Sequence, residues 1–435
     1  MNHQGIPVPQ TGHPTWGVGI REGLSRAEEG GGTDGRKASC LGGRYTSLPT
    51  RVSRGEGAGK LTPLQPPPFA SLQRPQAARA TAPPTVCVIS GDDAAPEVMR
   101  PTVEILSSLA PDIRFVEARS GREALERYGE AFPDETRAAI DYADCTLFGA
   151  SGGPSRPILW YLRWGKETYV NVRPVHWYPG YHSPMLHPER IDYVIVRDNL
   201  EGMYPPREWH IAELSALSSR NFWWQAPPVR KEGAYAVRVC TDEQMQRVAI
   251  AACELALRRK AAGYPGCVTF GGKYSILPRT DGRFRTIVAE TVRSHASLSY
   301  QEYLIDDLAR RMVAVPETLD VVVLSNEHGD ILADVASGSI GGLGLSPSAC
   351  YGEHYAYFEP VHGSAPDLAG KGVINPTAML LSGAMMLDYL GYVEQARCLE
   401  TAIEQVYREG TVLTSDQGGE ASTMEFVEAV QVHYS

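Results

Sequence analysis

The sequence predicts an α/β fold, and three observations predict it. From Thr85 onward, short apolar runs alternate with segments of helical spacing. A length of 435 residues with 43% hydrophobic content is ample for a sizeable core and suggests two or three domains. Residues 1–84, by contrast, hold 14 of the 43 Gly and 11 of the 32 Pro, a composition that cannot bury a core.

Charge divides the chain at the same place. Residues 1–84 carry 10 Lys/Arg and 5 Asp/Glu, so the net charge of −10 splits into +5 for this segment and −15 for the remainder. An acid-poor transit peptide fits poorly with Glu22, Glu28, Glu29, Asp34 and Glu56. A disordered extension, or a start codon placed too far upstream, fits better. The expected location is the cytoplasm, or an organellar matrix if residues 1–84 act as a leader. The acidic balance argues against a nucleic-acid partner, which needs clustered Lys/Arg. No apolar run reaches the roughly 18 residues of a membrane span. Eight cysteines, Cys40, Cys87, Cys145, Cys240, Cys253, Cys267, Cys350 and Cys398, lie far apart without C-x-x-C spacing, so reduced thiols are expected and zinc is not.

The elements follow in order. Val86–Ile89 reads as a strand, and Val98, Ile105, Leu106 and Leu109 sit near helical spacing behind it. Cys145–Phe148, Tyr193–Val196, Ala236–Cys240, Val268–Phe270 and Asp320–Leu324 read as further strands, the last a β-branched run suited to burial on both faces. Thr241 to Gln244 reads as a capping box opening a helix over Glu243–Ala262, and Thr377–Tyr407 as one or two helices. Between Met203 and Gly233, Pro205, Pro206, Trp209, Trp223, Trp224, Pro227 and Pro228 interrupt the alternation; aromatics at this density suggest a subunit-contact arm.

Neither G-x-G-x-x-G after a strand nor G-x-x-x-x-G-K-[ST] occurs, so a nucleotide must be held another way. Four sets of residues carry candidate chemistry. Arg163, Arg173 and Arg197, if convergent, suit a di- or tricarboxylate, because guanidinium forks pair bidentately with carboxylates; separately, each reads as an ordinary ion pair. Asp330 and Asp334 in Gly-Asp-Ile-Leu-Ala-Asp share one helical face and, with a third carboxylate such as Asp306, suit Mg²⁺ or Mn²⁺; helix-end charge compensation is the plainer role. Lys273 after Gly-Gly and Tyr204 suit proton transfer, although a loop lysine is commonly just solvated. The Gly- and Pro-rich loop from Glu359 to Asn375 suits a ligand, and its Asp367 would accept from a ribose diol and repel a 2′-phosphate; a turn role is the alternative.

In this order, Arg163, Tyr-Val-Asn-Val-Arg173-Pro-Val, Arg197-Asp-Asn-Leu-Glu-Gly-Met-Tyr204, Lys273, Asp306, Gly-Asp330-Ile-Leu-Ala-Asp334 and Glu359-Pro-Val-His-Gly-Ser-Ala-Pro-Asp-Leu-Ala-Gly-Lys-Gly-Val-Ile-Asn375-Pro resemble the β-decarboxylating dehydrogenases, the family of isopropylmalate, isocitrate, homoisocitrate, tartrate and D-malate dehydrogenases. The resemblance covers Thr85 to Ser435. It implies an isopropylmalate-dehydrogenase-like two-domain fold without a Rossmann site, residues 85–168 with 341–435 forming domain one and 169–340 domain two. It also implies an active site in the interdomain cleft, shared within a homodimer or larger assembly. By the same resemblance, Arg163, Arg173 and Arg197 clamp the substrate. Asp330 and Asp334 bind the metal with Asp306 of a neighbouring subunit. Lys273 takes the hydroxyl proton as hydride passes to NAD, and Tyr204 reprotonates the enolate after CO₂ leaves. His362, Gly363, Ala365, Asp367 and Asn375 contact the cofactor.

The chain departs from the family pattern in several places. Gly-Asp-Gly-Ile-Gly-Pro-Glu is here Gly91-Asp92-Asp93-Ala94-Ala95-Pro96-Glu97, Lys-x-Asn is Lys273-Tyr274-Ser275, Glu327-His328 replaces apolar residues, and Leu200 replaces a Thr. The specificity helix Ser155-Arg156-Pro157-Ile158-Leu159-Trp160-Tyr161-Leu162 matches no one subfamily. Trp160 would shorten the pocket for D-malate or tartrate, whereas Arg156 would meet an extra carboxylate, as in homoisocitrate. The altered first loop and Ser275 also fit a non-catalytic regulatory paralogue, against which stands the retention of Lys273, Tyr204 and the three aspartates.

Overall fold

A computed structural model describes residues 83–211 and 232–434. The expectations for residues 1–82, and for Trp223 and Trp224, lie outside these residues. In chain order the strands are β1 (Thr85–Ile89), β2 (Arg114–Glu117), β3 (Cys145–Phe148), β4 (Val170–His176), β5 (Asp192–Asp198), β6 (Glu208–His210), β7 (Ala234–Ala236), β8 (Cys267–Gly272), β9 (Ser299–Leu304), β10 (Val321–Leu324), β11 (Pro347–Tyr351) and β12 (Ala356–Pro360). Ten of them form one sheet in the order β2-β1-β3-β12-β11-β4-β5-β10-β8-β9. Pairing is parallel towards both edges and antiparallel at β12–β11, β11–β4 and β4–β5 in the middle. Strands from 85–168 and 341–435 occupy one half of the order and strands from 169–340 the other, meeting where β11 pairs with β4.

Strands β1, β3 and β10 read as apolar because both of their faces are covered. All residues of β1, β3 and β10 are buried, each large side chain contributing roughly 1.5–3 kcal/mol. Edge strand β9 (Ser-Tyr-Gln-Glu-Tyr-Leu) is mostly half-buried and polar, which explains its weak signal. The helix expected over Glu243–Ala262 runs Asp242–Ala261. Thr241 Oγ1 accepts from Gln244 N at 3.3 Å, but the reciprocal carboxylate of the cap is Glu201, which accepts from Thr241 N at 2.5 Å. The Thr377–Tyr407 stretch forms two helices, Thr377–Leu390 and Val393–Glu409. One expectation is corrected: Ala236–Cys240 is not a strand. Only β7 and a single bridge from Val239 to Gly202 form there, because the segment leaves the sheet and exposes Val237. Among the described residues, no helix is long and apolar enough to cross a membrane.

Candidate active site

The three arginines converge from different elements. Arg197 on β5 is 1% exposed and lies against the helix Asn326–Ile340. Its Nε and Nη2 donate to Asn326 Oδ1 at 3.1 and 2.7 Å, and its Nη1 donates to Asp330 Oδ1. Gly329 permits this approach, since a Cβ there would come within 2.6 Å of the Arg197 side chain. Arg173, from neighbouring β4, places Nη2 3.5 Å from the same Asp330 oxygen, while its Nε and Nη1 are buried with no hydrogen-bond partner. Arg163 lies in a π-helical turn, Tyr161–Gly165, a local widening common at functional sites. Its Nε donates to Tyr357 Oη at 3.2 Å, and its Nη2 lies 3.8 Å from Glu359.

Clustered charge sets the protonation states. Burial, then Arg173 and Arg163, push Arg197 down to about 10. Burial would raise Asp330, but Arg197, Arg173 and the Tyr204 hydroxyl outweigh it, and the carboxyl sits below its ordinary range, ionised. One turn on, Asp334 is raised by burial, Arg173 opposing and Asp330 adding to the shift. Two neighbouring carboxylates on one helical face, one of them destabilised as an anion, fit a divalent cation. Tyr204 donates to Asp330 Oδ2 at 3.0 Å beneath the Arg197 guanidinium, and burial followed by Asp330 raises its phenol, so it keeps its proton.

Lys273 and Asp306 form a separate pair, Nζ to Oδ1 2.6 Å, at the end of β8 and the start of the helix Ile305–Ala314. Within this chain they do not join Asp330 and Asp334, and no group of three or more His, Cys, Asp or Glu among the described residues is arranged to hold a metal.

The loop over residues 359–375 frames a cavity of about 360 Å³ lined by His362, Gly363, Ala365 and Asn375 together with Leu343, Gly344, Ser415 and Asp416. Asp367 is exposed and outside that lining. The His362 Nε2 is buried without a partner, and burial lowers this imidazole, favouring its neutral form with a ring nitrogen open to a ligand. Asn375 is committed to the fold: Nδ2 donates to Tyr407 and Asp416, and Oδ1 accepts from Thr377 N. In the first loop Asp93 adopts φ +54°, a conformation Asp tolerates better than most residues. Its Oδ2 accepts from Ser364 at 2.6 Å, and Glu97 accepts from the Gly370 and Gly372 amides, tying the two loops together. Trp160 is 43% exposed beside Trp164, and Arg156 is exposed.

Asn326, Tyr357, Glu359, Glu97 and Ser364 were not singled out by sequence. Glu359 and Ser364 stood inside the nucleotide-loop motif, whereas Asn326 and Tyr357 carried no local signal.

Arginines and an aspartate thus meet between β4, β5 and the Asn326–Ile340 helix, and the loop over residues 359–375 frames a cavity. The chain belongs to the isocitrate/isopropylmalate dehydrogenase family, whose profile matches residues 85–430, and it is an oxidoreductase of that oxidatively decarboxylating class. It is 40% identical over 346 residues to a 3-isopropylmalate/3-methylmalate dehydrogenase of Methanocaldococcus jannaschii, covering 79% of this chain and 97% of the relative. It is 38% identical over 351 residues to an isocitrate/homoisocitrate dehydrogenase of Thermus thermophilus, again covering 79% and 97%. The crystal structure of isocitrate dehydrogenase from Methylococcus capsulatus superposes with a TM-score of 0.70 at 31% identity, covering 80% of this chain and 99% of that one.

Proposed function

We propose that the protein is an NAD-dependent and Mg²⁺- or Mn²⁺-dependent oxidative decarboxylase of a malate-type (R)-2-hydroxy acid, namely D-malate, tartrate or 3-isopropylmalate. The observation that carries this reading is Arg173, whose Nε and Nη1 are buried and unpartnered beside Arg163 and Arg197. Buried guanidinium donors left open at a cationic cluster call for a carboxylate ligand. Isocitrate or homoisocitrate is the second reading, favoured by exposed Arg156 on the specificity helix, which is free to meet another carboxylate.

Arg163, Arg173 and Arg197 bind and orient the acid. Asp330 and Asp334 would hold the cation, and His362 with the surrounding loop would hold the nucleotide. When bound, the cation supplies polarisation of the hydroxyl and carbonyl, and the nicotinamide supplies the hydride acceptor. Lys273 Nζ, 2.6 Å from Asp306 Oδ1, passes its own proton to that carboxylate and then accepts the hydroxyl proton. Tyr204, protonated and fixed on Asp330, returns a proton to the carbon left after CO₂ departs.

The homodimer reading is supported by the separation of Lys273 and Asp306 from the Asp330 cluster within one chain: a second copy would bring the two groups together. The experiment is turnover of Lys273→Ala mixed with Asp330→Asn. Each variant alone is expected to be inactive, and mixed dimers to regain activity at one of their two sites; no regain in proven mixed dimers would overturn the shared site.

A further inference from the structure

Among the groups the mechanism does not use, one buried charge cluster joins the two halves of the catalytic set. Arg238 is 13% exposed. Its Nη1 donates to Asp281 Oδ1 at 2.5 Å, and its Nε pairs with Glu327. Asp281, 2% exposed, uses its other oxygen to accept from the main-chain amide of Lys273 at 2.6 Å. Glu327 stands in the first turn of the helix that carries Asp330 and Asp334, next to Asn326, the acceptor for Arg197. Gly202 leaves room for Glu327, since a Cβ there would lie 2.3 Å from Oε2, and Gly202 also pairs with Val239 beside Arg238, two residues before Tyr204.

The cluster holds two carboxylates for one guanidinium; Arg238 Nε and Glu327 Oε2 have no hydrogen-bond partner, so the Glu327 side of the bridge is a charge contact. Such a buried triad contributes little net stability. What it does provide is a bridge: one planar fork reaches both Asp281, which holds the Lys273 amide, and Glu327 on the Asp330 helix.

We propose that Arg238 is a positioning residue that, through Asp281 and Glu327, locks the Lys273 main chain to the helix bearing Asp330 and Asp334. This rests on the proposed function, and if sites are shared between subunits, the lock couples the group each subunit lends to the group it keeps.

The test compares Arg238→Met and Arg238→Lys with wild type in the full-length protein, by steady-state kinetics with Mn²⁺ and by amide hydrogen exchange. Arg238→Met should lower kcat by up to about 10²-fold, the scale of a misplaced catalytic group, with KM for NAD⁺ unchanged. Exchange should quicken over residues 273–281 and 326–334 and stay the same in β1 and β3. Arg238→Lys should recover part of kcat. Arg283→Met, which removes the exposed pair with Asp242 nearby, should behave as wild type. Unchanged exchange in the two segments, or quickened exchange with wild-type kcat, would overturn the proposal. A wild type that turns over no acid would count against the functional reading alone, because exchange still reports the lock.

Discussion

Arg173→Met separates binding from stability. The wild-type side chain leaves Nε and Nη1 buried and unpartnered, with Nη2 touching Asp330 only at 3.5 Å, so it costs the free protein desolvation and returns little. In the complex those two donors reach a substrate carboxylate, and charge-assisted bonds of about 1.5–3 kcal/mol each give roughly 3–6 kcal/mol. At about 1.4 kcal/mol per decade, kcat/KM should fall by about 10² to 10⁴. Folding should barely respond: Met fills similar space, Arg197 still holds Asp330, and one of the charges pushing Arg197 down to about 10 is gone. A change of about 1 kcal/mol or less corresponds to a Tm shift below about 4 °C. NADH formation against acid concentration and a thermal melt measure the two. A loss of activity under about tenfold, or a melt that collapses along with activity, would refute the idea that Arg173 is held open for substrate.

Other outcomes follow from the same geometry. Lys273→Ala should abolish turnover while the circular dichroism melt stays within a few degrees of wild type, and residual turnover near the wild-type rate would remove Lys273 from the proton path. Asp330→Asn should weaken Mn²⁺ binding by calorimetry and also loosen Arg197; unchanged Mn²⁺ affinity would exclude Asp330 as a ligand. Burial pushes Asp198 up to about 6 against the opposing pull of the Leu200 amide and Gln244. Its folded value lies above the unfolded one of about 4, so its share of stability is full below about pH 4 and lost as pH rises through about 6. Asp198→Asn should therefore flatten the stability profile across that window, and an unchanged slope would assign it to another group.

What the sequence revealed and what it concealed have physical causes. Strands β1, β3, β5, β8 and β10 were legible because burial on both faces demands unbroken apolar runs such as Val321–Leu324. The antiparallel centre, β11 with β12 and β4, was not, because Pro347–Tyr351 mixes Ser, Ala and Cys and gains its identity only from partners far along the chain. The alternation Val237-Arg238-Val239 resembled a strand, yet Arg238 is spaced to serve Asp281 and Glu327 rather than a sheet face. Arg163, Arg173, Arg197, Asp330 and Tyr204 were readable as a family pattern, and the fold brings them together. The convergence of Arg173 and Arg197 on Asp330 depends on β4 and β5 lying side by side, which no local spacing encodes.

The most direct measurement of the central claim is NADH absorbance and CO₂ release with NAD⁺ and Mn²⁺ against D-malate, L- and meso-tartrate, 3-isopropylmalate, isocitrate and homoisocitrate, with NADP⁺ in parallel. The account predicts metal-dependent NADH from at least one malate-type acid, with one CO₂ per NADH and little response to NADP⁺. Absence of NADH with every acid, from a folded protein that binds NAD⁺ and Mn²⁺, would contradict it.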